Sequence, residues 1–448
     1  MKYLLFIFSL LIVVPTFSVS QDSQKVIANP RERIKERMNF QAKTPFNIDD
    51  ALKNKENQKS ISLQNQNLEN LDKRLFEFTN LENLDLSNNS LKSLPEEFKN
   101  FKNLKILRIR NNKLSEIPKV IFDLPNLQQI DLSNNQIRII TIDFKNNVKK
   151  INLANNKIEK INIQNANNSI EDLDLSGSNF SNFNENLSNL KQLKNLNLSK
   201  SEIKTIGSNA VFPKTLIKLD LSNNQLSSIH ESILSIITLQ NLDVSNNKIE
   251  KININKTTGI TKLNLTRNKI SNISFDIQMN RLVDLLVAQQ NVDVVNFNFA
   301  NLQSLKSLNL SQNKIGKLEN IEKLTNLEFL DMSRTSLTDF PPLIKNPSKI
   351  TKLNLSYNEI KKLPDNLNEY SNLEQLHLTK NQITIIPSSI GQLSNLKYVT
   401  LDNNLIEDIP IELSNCKNLK MLSLRMNKIS DANKDKIMKQ FSSIKVAF

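Results

Sequence analysis

The sequence predicts an α/β solenoid, a coil of short turns with a parallel sheet along its concave side. Three observations lead there. One phrase returns down the chain, as LDLSNNSL at Leu84 to Leu91, IDLSNNQI at Ile130 to Ile137 and LDLSNNQL at Leu219 to Leu226. Its asparagine slot keeps register through Gln66, Asn89, Asn112, Asn135, Asn156, Ser178, Ser201, Asn224, Asn247, Asn268, Gln290, Asn313, Thr335, Asn358, Asn381, Asn404 and Asn427, seventeen turns in steps of 21 to 23 residues. Leucines flanking one polar position, such as Leu84 and Leu86 around Asp85, alternate as a half-buried strand does.

Each slot has a physical job. The leucines point inward and Asp85 and its equivalents outward. The asparagine turns the chain away from the strand, and its amide bonds backbone groups that would otherwise be buried without partners. Ser and Thr replace part of that bonding, whereas Gln is longer, so a local irregularity is expected at Gln290. This is the pattern of a leucine-rich repeat. Six return paths carry an apolar residue and then proline: Leu94-Pro95, Ile117-Pro118, Phe340-Pro341, Leu363-Pro364, Ile386-Pro387 and Ile409-Pro410. Proline fixes the backbone where no ladder bond is needed. The middle turns, Asn135 to Gln290, lack it, and a more strand-like convex side is expected there.

A stack of similar turns leaves two apolar ends to cover. Asn47 to Leu52 has a capping residue, early acids and apolar spacing suited to a short helix. Asp431 to Phe441 reads as an amphipathic helix, followed by Ile444, Val446 and Phe448. The expected organisation is a signal segment over 1–20, a basic linker over 21–45, a helical cap over 46–60, repeats over 61–430 and a closing helix and strand over 431–448.

The signal rests on Lys2, the apolar run Leu4 to Val14 broken only by Ser9, and the small residues Ser18-Val19-Ser20. No later run approaches the length of a membrane span. Cleavage removes Lys2 alone, so 59 basic and 45 acidic residues become 58 and 45, a net +13. Such a surface attracts polyanions without choosing among them. Cys416 is the single cysteine, so no intrachain disulfide forms.

From Phe46 to Phe448 the chain resembles the secreted leucine-rich-repeat proteins of leptospira-type spirochaetes. The lead PFNIDDALKNKENQKSISLQNQNL, the proline unit LPEEFKNFKNLKIL and the exit NKISDANKDKIMKQFSSIKVAF carry the likeness. The resemblance implies exported or surface-exposed binders, in several cases of host proteins or glycans, and supplies no catalytic residue.

Nothing in the chain points to an enzyme or a cofactor. His230 and His377 lie in different repeats, and neither a phosphate-binding GxxxxGK nor an HExxH is present. Cys416 reads as a packed residue, and His377 as a surface histidine rather than a zinc ligand. The sequons at Asn197, Asn264, Asn309 and Asn354 follow from the repeat grammar. The concave row from Asp85 to Asn264 reads as a solvated scaffold face. The C-terminal turns differ, because Phe329, Arg334, Tyr357, His377, Tyr398, Met421, Arg425 and Met426 fall on exposed slots. Aromatic, Arg and Met side chains are enriched in interface cores, so these are the candidate protein-binding residues. Val283, Leu286 and Ala288 form a weaker patch. Lys113, Lys157, Lys248, Lys269, Lys314 and Lys428 share the slot after the asparagine along one rim, a candidate polyanion site. The expected partner is a host or environmental protein bound on the concave face. A polyanion held by the lysine rim and a structural role in the cell envelope are the alternatives, and no nucleic acid is expected.

Overall fold

The computed structural model describes residues 47–144, 147–164, 169–252, 254–341 and 347–448. The expected signal segment and basic linker lie outside these residues. The chain coils into a leucine-rich-repeat solenoid whose concave side is one 18-stranded sheet. Each concave strand pairs in parallel with that of the next turn, from Ser60–Ser62 against Asn83–Asp85 to Met421–Ser423 against Lys445–Ala447. The register holds leucine opposite leucine, as in Leu196 between Leu173 and Leu219. All contacts of a turn are therefore with its neighbours, the one-dimensional packing of a repeat array.

The asparagine slot forms a buried spine. Asn112 donates from Nδ2 to Leu86 O at 3.0 Å and Ile109 O at 3.2 Å, and its Oδ1 accepts Leu91 N at 3.0 Å. Asn247 makes the same set to Leu221 O, Val244 O and Leu226 N. One side chain thus satisfies three backbone groups on two turns. The irregularity expected at Gln290 does not break the ladder. Gln290 Nε2 reaches Leu265 O at 2.9 Å, its Oε1 accepts Ile270 N at 3.1 Å, and Asp284–Leu286 stays in register on both sides. A disturbance appears after three other slot residues, Gln66, Ser201 and Thr335, where the next residues, Asn67, Glu202 and Ser336, turn left-handed at φ 55° to 57°. There the following asparagine accepts two N–H groups, as Asn224 does from Ser201 and Ile203.

Opposite the sheet, proline-containing turns wind into 3₁₀ segments such as Glu96–Asn100, Ser388–Gln392 and Ile411–Asn415. Middle turns run extended: Ile139–Ile142 pairs with Lys160–Ile163, and Val295–Asn298 with Ile315–Glu319 through a bulge. The helix Glu231–Leu234, capped by His230, interrupts that trend. At the front, Asn47 Oδ1 accepts from Asp49 N and Asp50 N and starts the helix Ile48–Leu52. At the back, Ser430 caps the helix Asp431–Gln440, which buries Ile437 against the last turn.

Candidate concave binding face

Two columns of side chains face the hollow of each turn: one from the first strand residue and one from the third. The third-residue column holds Asp85, Asp131, Asp174, Asp220 and Asp243 among others, the row expected to point into solvent. It is tied down instead. Asp85 is only 3% exposed, with Oδ1 accepting Ser87 N at 2.9 Å and Oδ2 accepting Gln64 Nε2 at 2.9 Å. The same bond to the N–H two residues on recurs at Asp131, Asp174, Asp220 and Asp243. Aspartate or asparagine is there because a short acceptor closes the bend after the strand, where the backbone has no ladder partner. The sequon asparagines Asn197, Asn264, Asn309 and Asn354 make this bond too. The signal was legible as the constant D/N two residues before Ser.

Between Ile106 and Asn264 the two columns line a groove of about 910 Å³. Lys150, Lys218 and Lys262 stand in its first column, and the aspartates in its second. Burial raises the Asp220 carboxyl above the usual carboxylate range, and its neighbours Asp243 and Asp174 add to the rise. Burial likewise raises Asp284. The groove was not singled out from the sequence.

The C-terminal candidates do not form one patch. Phe329, Tyr398 and Met421 share the first column, half-buried, with Lys352 and Gln375 between Phe329 and Tyr398. His377 lies in the other column between Asn354 and Thr400, its Nδ1 3.1 Å from Thr400 Oγ1. Burial lowers its pKa from the ordinary histidine value, Asp331 opposes that shift, and Lys352 reinforces it. Arg334 and Tyr357 sit on the corner after the strand, exposed and left-handed. The Arg334 guanidinium lies 3.9 Å from the Tyr357 ring centroid, and Lys380 Nζ approaches to 5.2 Å. Arg425 is exposed, its backbone N–H donating to Asp402 Oδ1 at 2.8 Å. Strand alternation and the corner explain the division, since these residues occupy four different slots of the repeat.

Of the weaker patch, Leu286 is half-buried between Asn264 and Asn309, and Ala288 is buried. Lys113, Lys157, Lys248, Lys269 and Lys314 are all exposed, with Glu202 and Glu359 interrupting their slot. Sequence reasoning missed a second ionic row just before the strands. There Lys59 and Lys105 flank Glu82 at 3.1 and 2.6 Å, and Lys149 and Lys194 flank Glu171 at 3.6 and 2.8 Å. Hydrogen bonds from these lysines hold both carboxyls below the usual range. Cys416 is buried with Sγ 3.2 Å from Ile390 O, and burial pushes its thiol up to about 11. Among the described residues no group of three or more His, Cys, Asp and Glu is placed to hold a metal ion.

The fold and this face define a repeat protein of the leucine-rich class. The leucine-rich-repeat family model matches residues 95–137 and 371–429, its two-copy form 303–345, and its single-repeat form 80–101 and 215–236. No curated protein sequence matches the chain. Among solved structures, a leucine-rich-repeat protein of Leptospira interrogans is 27% identical, covering 90% of this chain and 100% of its own at a TM-score of 0.66. Drosophila Toll in complex with Spatzle shares 18% identity over 83% of this chain and 51% of that one, at TM-score 0.64. The plant peptide hormone receptor RGFR1 in complex with RGF2 shares 24% over 82% and 63%, at 0.53.

Proposed function

We propose that this chain is an exported bacterial leucine-rich-repeat protein that binds a host or environmental protein through the C-terminal turns of its concave face. One observation carries the reading. His377, Thr400 and Ser423 occupy consecutive turns of the third-residue column, where most turns place the aspartate or asparagine that closes the bend. Beside them stand Tyr398 and Met421, and Arg334 and Tyr357 stack at the corner. Turns that depart from the aspartate or asparagine of the array and carry aromatic, Arg and Met side chains beside that column suit contact with another protein. Rigid neighbouring strands order them in advance, which lowers the entropy lost on docking. The complexes of Toll with Spatzle and of RGFR1 with RGF2 support a binding role at the level of the fold. Export rests on the apolar segment Leu4 to Val14; no helix of the described residues is long and apolar enough to cross a membrane.

The second reading is polyanion capture by Lys113, Lys157, Lys248, Lys269 and Lys314, favoured by the exposure of all five. Salt separates the two. Cross-linking capture of host proteins by the mature chain, repeated at low and moderate salt, tests them together. A protein partner that persists in salt and is lost with Tyr357→Ala plus Tyr398→Ala supports the first reading. Capture that collapses with salt and with neutralised rim lysines refutes it.

A further inference from the structure

The residue before the spine asparagine is left-handed in turn after turn. Asn88, Asn111, Asn134, Asn155, Asn223 and Asn246 hold φ between 54° and 58°. Asparagine tolerates that conformation because its short amide can bond locally, and it also links successive turns, as when Asn155 Nδ2 donates to Asn134 Oδ1 at 3.1 Å. In three consecutive C-terminal turns the same slot holds Arg334, Tyr357 and Lys380, at φ 57°, 61° and 61°. These long side chains lack that local compensation. Their contact is with each other: the Tyr357 ring is approached by both cations.

Among the described residues neither Arg334 nor Lys380 forms an ion pair. Two nearby carboxylates are engaged elsewhere: Asp331 accepts Ser333 N at 2.9 Å and Asn354 Nδ2 at 3.2 Å, and Asp402 accepts Ser423 Oγ at 2.6 Å and Arg425 N at 2.8 Å. The column is neutral on either side, at Gln312 and Asn403. A long polyanion gains from a continuing row of charge, which this corner does not offer.

We propose that the Arg334–Tyr357–Lys380 corner is a docking point for the carboxylate side chains of a short acidic segment on the protein partner. The proposal rests on the reading that the C-terminal turns carry that partner. Two cations held against one ring accept one or two carboxylates, and the ring face gives the flanking residues of the segment an apolar surface.

The test is fluorescence anisotropy of a fluorescein-labelled hexaglutamate peptide with the mature chain, alongside a hexalysine peptide and a sulfated heparin hexasaccharide. The expected result is binding of hexaglutamate, none of hexalysine, and a loss of about tenfold in affinity in Arg334→Gln with Lys380→Gln. Tyr357→Asn, which restores the usual residue of the slot, should weaken the peptide while the protein melts no lower than the parent. Equal affinity of parent and double variant overturns the proposal. So does hexasaccharide binding tighter than the peptide and lost only when Lys113, Lys157 and Lys248 are neutralised. If partner capture depends on Tyr357 and Tyr398 while the double variant binds peptide and partner normally, the acidic docking point falls and the C-terminal interface stands. If the peptide needs Arg334 and Lys380 but capture ignores both tyrosines, the docking point stands and the broader interface falls.

Discussion

From Asp131 to Asn264 the third-residue column of the sheet holds aspartate or asparagine in every turn, whereas His377, Thr400 and Ser423 fill it at the C-terminal end. The backbone frame is the same in both regions: Asn247 and Asn381 make matching bonds to the turns around them. What differs is how far the facing side chains are needed by the frame. In the middle, a carboxylate that looks like a binding residue is mainly a bend closer. Near the C-terminus, residue types other than aspartate and asparagine face the hollow and the corner. On the binding role proposed above, a repeat array separates scaffold residues from partner-facing ones within one column, and a departure from the repeated residue type marks the change.

The largest expected effect tests whether the frame is shared. Asn247→Leu and Asn381→Leu should each cost about 2–4 kcal/mol, because three buried backbone groups lose their partner. Urea melts that differ widely between the two would show the regions are not built alike. Next, Tyr357→Ala with Tyr398→Ala should weaken the captured protein by at least ~2 kcal/mol at an almost unchanged melting temperature. Asp131→Ala with Asp174→Ala should do the reverse, leaving binding intact and costing about 1 kcal/mol of stability per site. Titration calorimetry and thermal melts on the two pairs would expose the comparison as wrong if the aspartates governed affinity.

Smaller still, Tyr357→Asn should stabilise the chain by about 1 kcal/mol, since asparagine suits a left-handed backbone better than tyrosine. The smallest effect is a difference of sign with pH. The folded-state pKa of Asp220 is raised, chiefly by burial. Its contribution to stability is full below the ordinary carboxylate value and is lost as pH rises through the raised one. His377 is shifted downward, again by burial first. Its contribution is present above the ordinary histidine value and is lost as pH falls through the lowered one. Urea midpoints measured from about pH 7 to pH 4 should therefore show Asp220→Asn removing an acid gain and His377→Asn removing an acid loss.

The frame was legible because its rule is written in residue types: leucines at a spacing of two, and an amide three residues beyond. Even Gln290, which breaks the type, keeps the bonds, since its extra methylene is absorbed without a change of register. The binding face was harder to read. Asp85 and Asp131 resemble solvent residues until the N–H two positions ahead is seen to need them. The left-handed corner was visible only as a doubled asparagine, in which the first bends the chain and the second enters the spine. Once Tyr357 and Arg334 replace that first asparagine, nothing in the local sequence marks them as neighbours across a turn.

The spine asparagines also give the molecule a direction of assembly. Asn112 completes Leu86 and Leu91, which lie in the turn before its own, and Asn135 does the same for Ile109 and Leu114. Each turn is finished by its successor. A chain made from its N-terminus would therefore close one coil behind the segment just released, with a single unfinished coil at the growing tip. Asn427 finishes the coil containing Leu401 and Ile406, and beyond it Leu424 N–H is taken by Ala447 O. The final strand ends a sequence of closures in which every earlier coil has waited for the next.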